Sequence, residues 1–564
     1  MSKDEQQTVI KALVNNLKKV GVEAAFGVSG GFIVPLWEAL SESPLKVIHC
    51  RHESGAAFSA SEYSLYNNVP TIVFSTSGPG ITNALTGLRA AKLDGARVVF
   101  ISATTIEEHN GKWGLQQTTR QDINDLAGDG VSGFFDSIVF IDRQEKLMEA
   151  ITAINNMTTS YGHVLGIFIP TNIQKEVLKE NNRVNIERIT PASNSYEKNN
   201  NAESQQQKIA DALAAGDAIL WNGFGCLHAA EILTRLAVET NTLVMSTPRG
   251  KGIFPENHAL YLGTTGLGSD GKKIRNTLSN PSLKTIIILG SKLGEFSSSY
   301  IQNQLTNVDV YYIGLGNEDI QRNLPASAVI INAEISHFLH GVYDKVKKTA
   351  VCHNPQRLRR EQEPEQQDLI PVKDGVVHPQ QVMAIVQKVA IEEHDCLIAA
   401  DAGNTFVWTN RYLHFQKPNR YRVCTALGAM AHYACGIVGL SVSGKTTLGI
   451  IGDGSMLMNN EVSTAVRYQL PAIWLIMNDG VYNMCRQGLR LLGHPPLDCV
   501  IPQVDFSLFA KALGADGVRV TQTDELETSL RAAILKGVPT VIDVLIDKDA
   551  QPPLLDRINT IKSL

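Results

Sequence analysis

The hydrophobic positions along the chain alternate between two periods. Short continuous apolar runs, typical of buried strands, are separated by stretches in which apolar residues recur every three or four positions, as on one face of a helix. In the first third of the chain the predicted strands are 24–28, 46–49, 71–75, 97–102 and 164–169. In the middle third they are 218–221, 243–246, 285–289, 309–313 and 328–331. This alternation predicts an α/β class in which each unit is a doubly wound parallel sheet.

Two polar stretches divide the pattern into three units. Residues 179–203 are rich in Asn and Ser, and residues 346–372 combine a basic cluster with several Glu and Gln residues, which is typical of solvated linkers. The predicted organisation is a first unit at 1–178, a linker at 179–203, a central unit at 204–345, a linker at 346–372, a last unit at 373–549 and a tail at 550–564.

Polar side chains follow two neighbouring strands predicted in the last unit. The apolar run 448–451 ends at Asp453, and the run 472–477 ends at Asn478. Because parallel strands finish on the same edge of a sheet, we expect these two side chains to lie close together. A carboxylate and an amide oxygen form a hard-oxygen site that suits Mg²⁺, which commonly completes its shell with phosphate and water.

The composition excludes several classes of function. With 43% hydrophobic and 19% charged residues, the 564-residue chain is typical of a globular protein with several cores. A net charge of −5 gives no reason to expect nucleic acid or an anionic membrane as a partner. No apolar stretch approaches the length of a membrane span, and the amino terminus is predicted to be an amphipathic helix rather than a signal peptide. The eight cysteines lack CxxC pairs, which predicts reduced thiols in a cytoplasmic protein.

Four short motifs in the outer units are more specific than this general pattern. They read RHESGAA at 51–57, TSGPGITN at 76–83, IIGDGS at 450–455 and NDGVYNMCRQ at 478–487. A glutamate at the start of a helix is often favoured only by the helix dipole, but here it occurs together with the other three motifs. The set resembles the thiamine diphosphate (ThDP)-dependent enzymes, most closely the acetohydroxyacid synthase and pyruvate oxidase branch.

The resemblance implies that the first unit binds the aminopyrimidine ring of ThDP and that the last unit binds its diphosphate through Mg²⁺. Glu53 would hydrogen-bond the ring and promote its imino tautomer, the Gly428 carbonyl would accept from the 4′-amino group, and Met430 would bend the cofactor. The residues expected to hold Mg²⁺ are Asp453, Asn478 and Gly480. The other residues expected to contact ThDP are Pro79, Asn83, Gly403, Asn404, Thr405, Gly454, Ser455, Val481 and Tyr482. Those expected to act on substrate, besides Glu53, are Gly30, Gly31 and Gln116.

The same resemblance implies a transferase or lyase that decarboxylates a 2-oxo acid, pyruvate by default, and transfers the acyl carbanion equivalent to a carbonyl acceptor. Gly488 stands where the family has an acceptor-selecting tryptophan, and Lys292 stands where it has an arginine, so a wider acceptor is predicted. A decarboxylase, an oxidase and an acyl-CoA lyase are the alternatives within the family. Because Glu53 and Asp453 lie in different units, the family's arrangement implies a homodimer or homotetramer with active sites at the subunit interface.

The central unit resembles the family's Rossmann-like domain, which binds FAD in some members. Residues 290–299 read GSKLGEFSSS and lack the family's arginine- and aspartate-rich flavin signature. A scaffolding role without FAD is therefore favoured.

A phosphate-loop pattern at 439–446 offers an alternative of another class, a nucleotide-binding ATPase. The segment reads GLSVSGKT and satisfies the GxxxxGK[ST] spacing. That loop needs a strand before it and a helix after it, so that the helix start meets the phosphates. Here a helical stretch precedes it and a strand follows it, so a surface turn is the favoured interpretation.

Overall fold

Neighbouring strands in the three sheets of this protein are all parallel. The computed structural model describes residues 7–158, 160–179, 202–269, 271–298, 301–316, 320–348 and 373–553. Each sheet has six strands with helices between them, which confirms the predicted α/β class with three doubly wound units. The linkers at 179–203 and 346–372 and the tail at 550–564 lie mostly outside the described residues, and the unit boundaries stay predictions.

The first sheet is formed by the amino-terminal residues. Its strands are β1 (Ala24–Gly27), β2 (Lys46–His49), β3 (Thr71–Ser75), β4 (Arg97–Ser102), β5 (Ser137–Phe140) and β6 (His163–Phe168). Its helices are α1 (Val9–Lys19), α2 (Val34–Glu42), α3 (Glu53–Asn67), α4 (Pro79–Asp94), α5 (Arg120–Leu126), α6 (Leu147–Thr158) and α7 (Thr171–Lys175). The strand order is β2-β1-β3-β4-β6-β5. Strand β5 escapes the sequence prediction because Val139 alone of its residues is buried.

The central sheet has the strand order of a dinucleotide-binding fold. Its strands are β7 (Ala218–Asn222), β8 (Leu243–Ser246), β9 (Tyr261–Thr264), β10 (Thr285–Leu289), β11 (Asp309–Gly314) and β12 (Val329–Asn332). Its helices are α8 (Ala202–Ala215), α9 (Ala230–Thr240), α10 (Gly271–Leu278), α11 (Glu295–Ser298) and α12 (Ile335–Val346). The order β12-β11-β10-β7-β8-β9 places the point where the winding reverses between β7 and β10.

The last sheet repeats the strand order of the first. Its strands are β13 (Leu397–Ala400), β14 (Tyr421–Val423), β15 (Thr447–Gly452), β16 (Ala472–Asn478), β17 (Asp516–Val520) and β18 (Thr540–Leu545). Its helices are α13 (Pro379–Ile385, continued by a π-helical segment Val386–Glu393), α14 (Asn404–Tyr412), α15 (His432–Val442), α16 (Asp453–Met458), α17 (Val462–Tyr468), α18 (Asn483–Leu491), α19 (Phe506–Ala512) and α20 (Thr523–Lys536). The order β14-β13-β15-β16-β18-β17 matches that of the first sheet strand for strand.

The winding of each outer sheet reverses at one point. This point lies between β1 and β3 in the first sheet and between β13 and β15 in the last. Ligands of doubly wound sheets bind outside the carboxyl ends of the strands at such points. The turns after these four strands carry Gly30, Pro79, Gly403 and Asp453, so the predicted site residues lie where the fold places a ligand.

The two outer sheets share one hydrophobic core, in which α3 packs against α15. Ala60 of α3 and Ala434 of α15 are both completely buried in it. The helices approach closely at Gly439, where an added Cβ would overlap with the carbonyl group of Ser59. The helix that begins with Glu53 is therefore fixed against the last unit by direct backbone contact.

Neither a disulfide nor a membrane span occurs in the part of the chain that the structure describes. The cysteines there are free thiols, and Cys352 lies outside the described residues. Within the same ranges, no helix combines the length and the apolar composition that a membrane span requires.

Replacing Gly439 with alanine tests how closely α3 and α15 must approach. The new methyl group would overlap with the Ser59 carbonyl, so the helices must separate, and we expect a loss of about 1–3 kcal/mol of unfolding free energy. Chemical denaturation followed by circular dichroism measures this loss. Gly294→Ala is the matched control, since nothing lies within 4 Å of its added Cβ. Equal stability of the two variants would contradict the close contact.

Candidate active site

Glu53 and Asn83 meet at the carboxyl edge of the first sheet. Glu53 is the first residue of α3 and is only 8% exposed. Asn83 lies in α4, which begins with Pro79, a residue that favours the first position of a helix. The Asn83 amide Nδ2 donates to Glu53 Oε2 at 3.1 Å. The structure thus brings together the predicted catalytic carboxyl group and a predicted cofactor residue.

The predicted substrate-facing residues gather around Thr76 at the same edge. An added Cβ at Gly30 would lie 2.6 Å from Thr76 Cβ, whereas nothing lies within 4 Å of an added Cβ at Gly31. Thr76 Oγ1 donates to Gln116 Oε1 at 3.2 Å. Gln116 also packs against Gly78, where an added Cβ would come within 3.0 Å of it. Gly31 therefore leaves open space beside an otherwise closely packed corner.

Asp453 is the centre of the corresponding corner of the last sheet. Its Oδ1 accepts from the Gly454 N–H at 2.7 Å, and its Oδ2 accepts from the Gly480 N–H at 2.8 Å. Burial raises the pKa of Asp453, although these two N–H groups favour the charged form. Burial and the neighbouring Asp453 charge raise the pKa of Asp479 to about 7. Two carboxyl groups are thus held close together and largely away from water.

Asn478 supplies a free oxygen beside this corner. Its Nδ2 donates to Asp543 Oδ1 at 2.8 Å and to the Val504 carbonyl at 3.0 Å. Its Oδ1 is buried and has no hydrogen-bond partner among the described residues. A buried amide oxygen without a partner costs free energy, and a cation with oxygen ligands would satisfy it. The residues present therefore fit the Mg²⁺ that the sequence predicts here.

The turn after β13 leads into α14 with room for a ligand. Gly403 has φ +94°, and nothing lies within 4 Å of an added Cβ there. Asn404 Nδ2 donates to Gln487 Oε1 at 3.1 Å. The Thr405 hydroxyl donates to the Asp401 carbonyl at 2.7 Å. The Thr405 hydroxyl is therefore engaged within its own turn.

Asp401 organises the turn that contains Gly428 and Met430. Its Oδ2 accepts from the Ala431 N–H at 3.0 Å, and its Oδ1 accepts from the Tyr433 N–H at 3.3 Å. Gly428 has φ +65°, a conformation that favours glycine, and Met430 is half-buried. No role for the Asp401 carboxylate was predicted from the sequence. The available signal was its position directly after a buried strand.

Tyr482 lies against Gly454 at the corner formed by Asp453. An added Cβ at Gly454 would lie 2.7 Å from the Tyr482 ring, so the ring packs directly on this glycine. Val481 pairs with Val500 in an isolated antiparallel bridge. The Ser455 side chain is buried and hydrogen-bonds Asp401. The predicted residues 454, 455, 481 and 482 therefore surround one corner.

A cavity of about 1190 Å³ lies between the first unit and the central unit. Its lining includes Gly225 and Lys292, which follow β7 and β10. Lys292 Nζ donates to the Leu93 carbonyl at 2.9 Å, and burial lowers its pKa. The prediction that the central unit serves as a scaffold without FAD stays a prediction.

The phosphate-loop pattern at 439–446 lies between a helix and a strand. Helix α15 ends at Val442, and β15 begins at Thr447. The segment thus lacks the order of strand, loop and helix in which a GxxxxGK[ST] loop binds phosphate.

Three family models match the chain in order. The model of the thiamine pyrophosphate enzyme N-terminal TPP binding domain matches residues 7–126, that of the central domain matches 207–341, and that of the C-terminal TPP binding domain matches 401–544. Together they span well over half of the 564 residues. The chain belongs to the thiamine pyrophosphate enzyme family. Thiamine pyrophosphate is another name for ThDP, so the resemblance found in the sequence is confirmed.

Several relatives match almost the whole chain at about one quarter identity. The probable acetolactate synthase large subunit of Methanocaldococcus jannaschii is 25% identical over 577 residues, which cover 97% of this chain and 93% of that protein. The acetolactate synthase large subunit of Haemophilus influenzae is 26% identical over 558 residues, covering 95% and 94%. A putative thiamine pyrophosphate-containing protein of Bacillus subtilis is 24% identical over 573 residues, covering 98% and 93%.

Replacing Asp401 with asparagine tests how this thiamine pyrophosphate enzyme holds the turn that contains Gly428 and Met430. One of the N–H groups of Ala431 and Tyr433 would then face an amide donor, and we expect the protein to lose about 1–3 kcal/mol of stability. The rise in melting temperature on adding ThDP and Mg²⁺ should shrink as well, because the turn around Gly428 is displaced. Asp516→Asn, an exposed change in the same sheet, is the control. An unchanged ThDP-induced rise would contradict the role of Asp401.

Proposed function

We propose that this thiamine pyrophosphate enzyme decarboxylates a 2-oxo acid, pyruvate by default, and joins the acyl unit to a carbonyl acceptor, as an acetolactate-synthase-like carboligase. The observation that carries the proposal is a pair of side-chain clusters, one at the carboxyl edge of each outer sheet. One presents Glu53 held by Asn83, and the other presents Asp453 beside the unpartnered oxygen of Asn478. The names of the acetolactate synthase relatives, which match almost the whole chain, support the choice of reaction.

Asp453, Asn478 and the Gly480 carbonyl would hold Mg²⁺. The first two offer a carboxylate and a free amide oxygen, which are ligands that Mg²⁺ prefers. The Gly480 carbonyl accepts from the Ile501 N–H at 2.8 Å and keeps a second lone pair for a metal. A cation here would offset the buried carboxyl charges and bind diphosphate oxygens.

Glu53 would exchange a proton with the pyrimidine ring. When bound, ThDP supplies a nucleophilic carbon and stabilises the negative charge that remains after CO₂ leaves. Asn83 donates one hydrogen bond to Glu53 Oε2, which leaves the carboxyl group further capacity to bond the ring. Gly31 and Gln116 border the open space in which substrate would lie.

A second copy of the chain would complete the site, as a homodimer or homotetramer. Large apolar side chains beside both corners are exposed in the single chain. Trp113 is 93% exposed and Leu115 is 84% exposed near Gln116, and Met458 is 67% exposed at the end of α16. Trp113 and Leu115 lie only two residues apart, and exposed apolar patches are typical of protein interfaces. We infer that these side chains are covered by the partner subunit.

We further infer that the protein is cytoplasmic and works without FAD. The free thiols of the described cysteines suit a reducing compartment. The turn after β10 lacks the flavin signature of the family. An absorption spectrum of the purified protein tests the second inference, since bound flavin absorbs visible light.

Mixing the protein with ThDP, Mg²⁺ and pyruvate tests the proposed reaction. We expect CO₂ release and, with a panel of aldehydes and oxo acids, a new acyloin or 2-hydroxy-3-oxo acid by NMR. Glu53→Gln should still bind ThDP but lose at least about 100-fold in turnover, because the proton exchange is lost. Glu42→Gln, an exposed change in the same unit, is the control. No CO₂ from any oxo acid despite bound ThDP would exclude the proposed donor class, and full activity of Glu53→Gln would exclude its role.

Gly488→Trp tests the wider acceptor. Gly488 lies within α18, and nothing lies within 4 Å of an added Cβ, so the backbone accommodates a side chain there. We expect kcat/KM for large acceptors to fall about 10-fold or more relative to kcat/KM for pyruvate as the acceptor. The tryptophan ring would occupy the space that a large acceptor needs. Gly488→Ala is the matched control and should change the ratio little. Identical acceptor ratios in both variants would place the pocket elsewhere.

A further inference from the structure

A short segment of the last unit reaches the turn that precedes Glu53. The segment runs from Asn459 to Glu461, between α16 and α17. The backbone N–H of Arg51 donates to Glu461 Oε2 at 2.9 Å and to Oε1 at 3.1 Å, and the N–H of His52 donates to Oε1 at 3.1 Å. The two residues before Glu53 are thus bound by one carboxyl group from a distant part of the chain.

The same segment also binds the residue after Glu53. Asn459 Nδ2 donates to Ser54 Oγ at 3.2 Å. The Ser54 N–H in turn donates to the His52 ring at 3.1 Å, which caps the start of α3. The segment therefore contacts both neighbours of Glu53, through the backbone before it and through the Ser54 hydroxyl after it.

Glu461 is completely buried, and its carboxyl group accepts from the backbone N–H groups of this turn. Its side chain does not cap α17, although it precedes that helix. The Thr464 hydroxyl also donates to it. Burial raises the pKa of Glu461 to about 7, although these donors favour the charged form. An added Cβ at Gly55 would overlap with Oε1, so the carboxyl group lies directly against the first turn of α3.

We propose that Glu461 is a positioning residue for Glu53. Its carboxyl group fixes the backbone of Arg51 and His52 and so sets the direction in which the Glu53 carboxyl group is presented. Because the contacts are made to N–H groups, the side chain acts as a hydrogen-bond acceptor. This inference rests on the role of Glu53 proposed above.

Amide hydrogen exchange of the full chain without ThDP gives the first test. In Glu461→Ala the amides of Arg51 and His52 lose their acceptor, and we expect them to exchange about 10-fold faster or more. Asn460→Ala is the matched control, since the Asn460 side chain bonds the nearby backbone of Met456 and Val462 rather than that of Arg51 or His52. Unchanged protection of the two amides in Glu461→Ala would overturn the inference.

Exchange of the ThDP C2 proton for deuterium, followed by NMR, gives the second test and needs no substrate. Glu461→Ala should slow this exchange about 10- to 100-fold, because a displaced catalytic group loses rate steeply. The dissociation constant for ThDP with Mg²⁺ should stay within about threefold of the value for the unsubstituted protein, because the residues proposed to hold Mg²⁺, Asp453 and Asn478, are unchanged. Glu461→Gln keeps an acceptor oxygen, and its amide can donate to Thr464, so it should restore most of the rate.

The comparison with Glu53→Gln separates the two proposals. If Glu53→Gln slows C2 exchange and Glu461→Ala does not, the positioning role is wrong. If Glu53→Gln has no effect, the role of Glu53 is wrong, and the amide-exchange result still decides whether Glu461 holds the turn. Should Glu461→Ala fail to fold, Gly55→Ala displaces the same carboxyl group from the other side and should slow C2 exchange in the same way.

Discussion

The close packing of α3 against α15 is the constraint on which the rest of the site depends. Helix α3 begins with Glu53, and α15 begins two residues after Met430. The backbones touch at Gly439, and the Ser59 hydroxyl donates to the Cys435 carbonyl at 3.0 Å. Since a helix is a rigid element, a contact in its middle also fixes its start. The shared core therefore positions the Glu53 carboxyl group of one unit and the turn with Met430 of the other.

A buried ionic cluster specifies how these two helices align. Glu62 of α3 accepts from Arg422 Nε at 2.8 Å and lies 3.0 Å from the His432 ring. Burial alone would raise the pKa of Glu62, but the Arg422 charge and the His432 hydrogen bond hold it at about 2. A buried ion pair adds little net stability, whereas removing one partner is costly. The cluster therefore penalises any other register of α3 on α15 more than it strengthens the present one.

The sequence predicted those features that depend on local pattern. Strands such as 71–75 and 97–102 were predicted because continuous apolar runs form buried strands, whereas β17 was missed because most of its residues are only half-buried. The corner with Asp453 was predictable because polar turns after neighbouring parallel strands meet at one edge, whereas Glu53 was singled out only by the resemblance of its motif to the family's. The inward hydroxyl of Thr405 and the reach of Glu461 to Arg51 were not predictable, because neither depends on local spacing.

The repeated strand order explains how one chain builds two complementary corners. Helix α3 follows β2, and α15 follows β14, and both strands occupy the same edge position in sheets of identical order. The helices that pack together are thus topologically equivalent. Equivalent loops then lie at equivalent switch points, so a difference in loop residues alone gives a corner with Glu53 and Asn83 in one sheet and a corner with Asp453 and Asn478 in the other. Because the fold is shared, the difference in chemistry comes entirely from the side chains at the strand ends, such as Glu53 and Asp453.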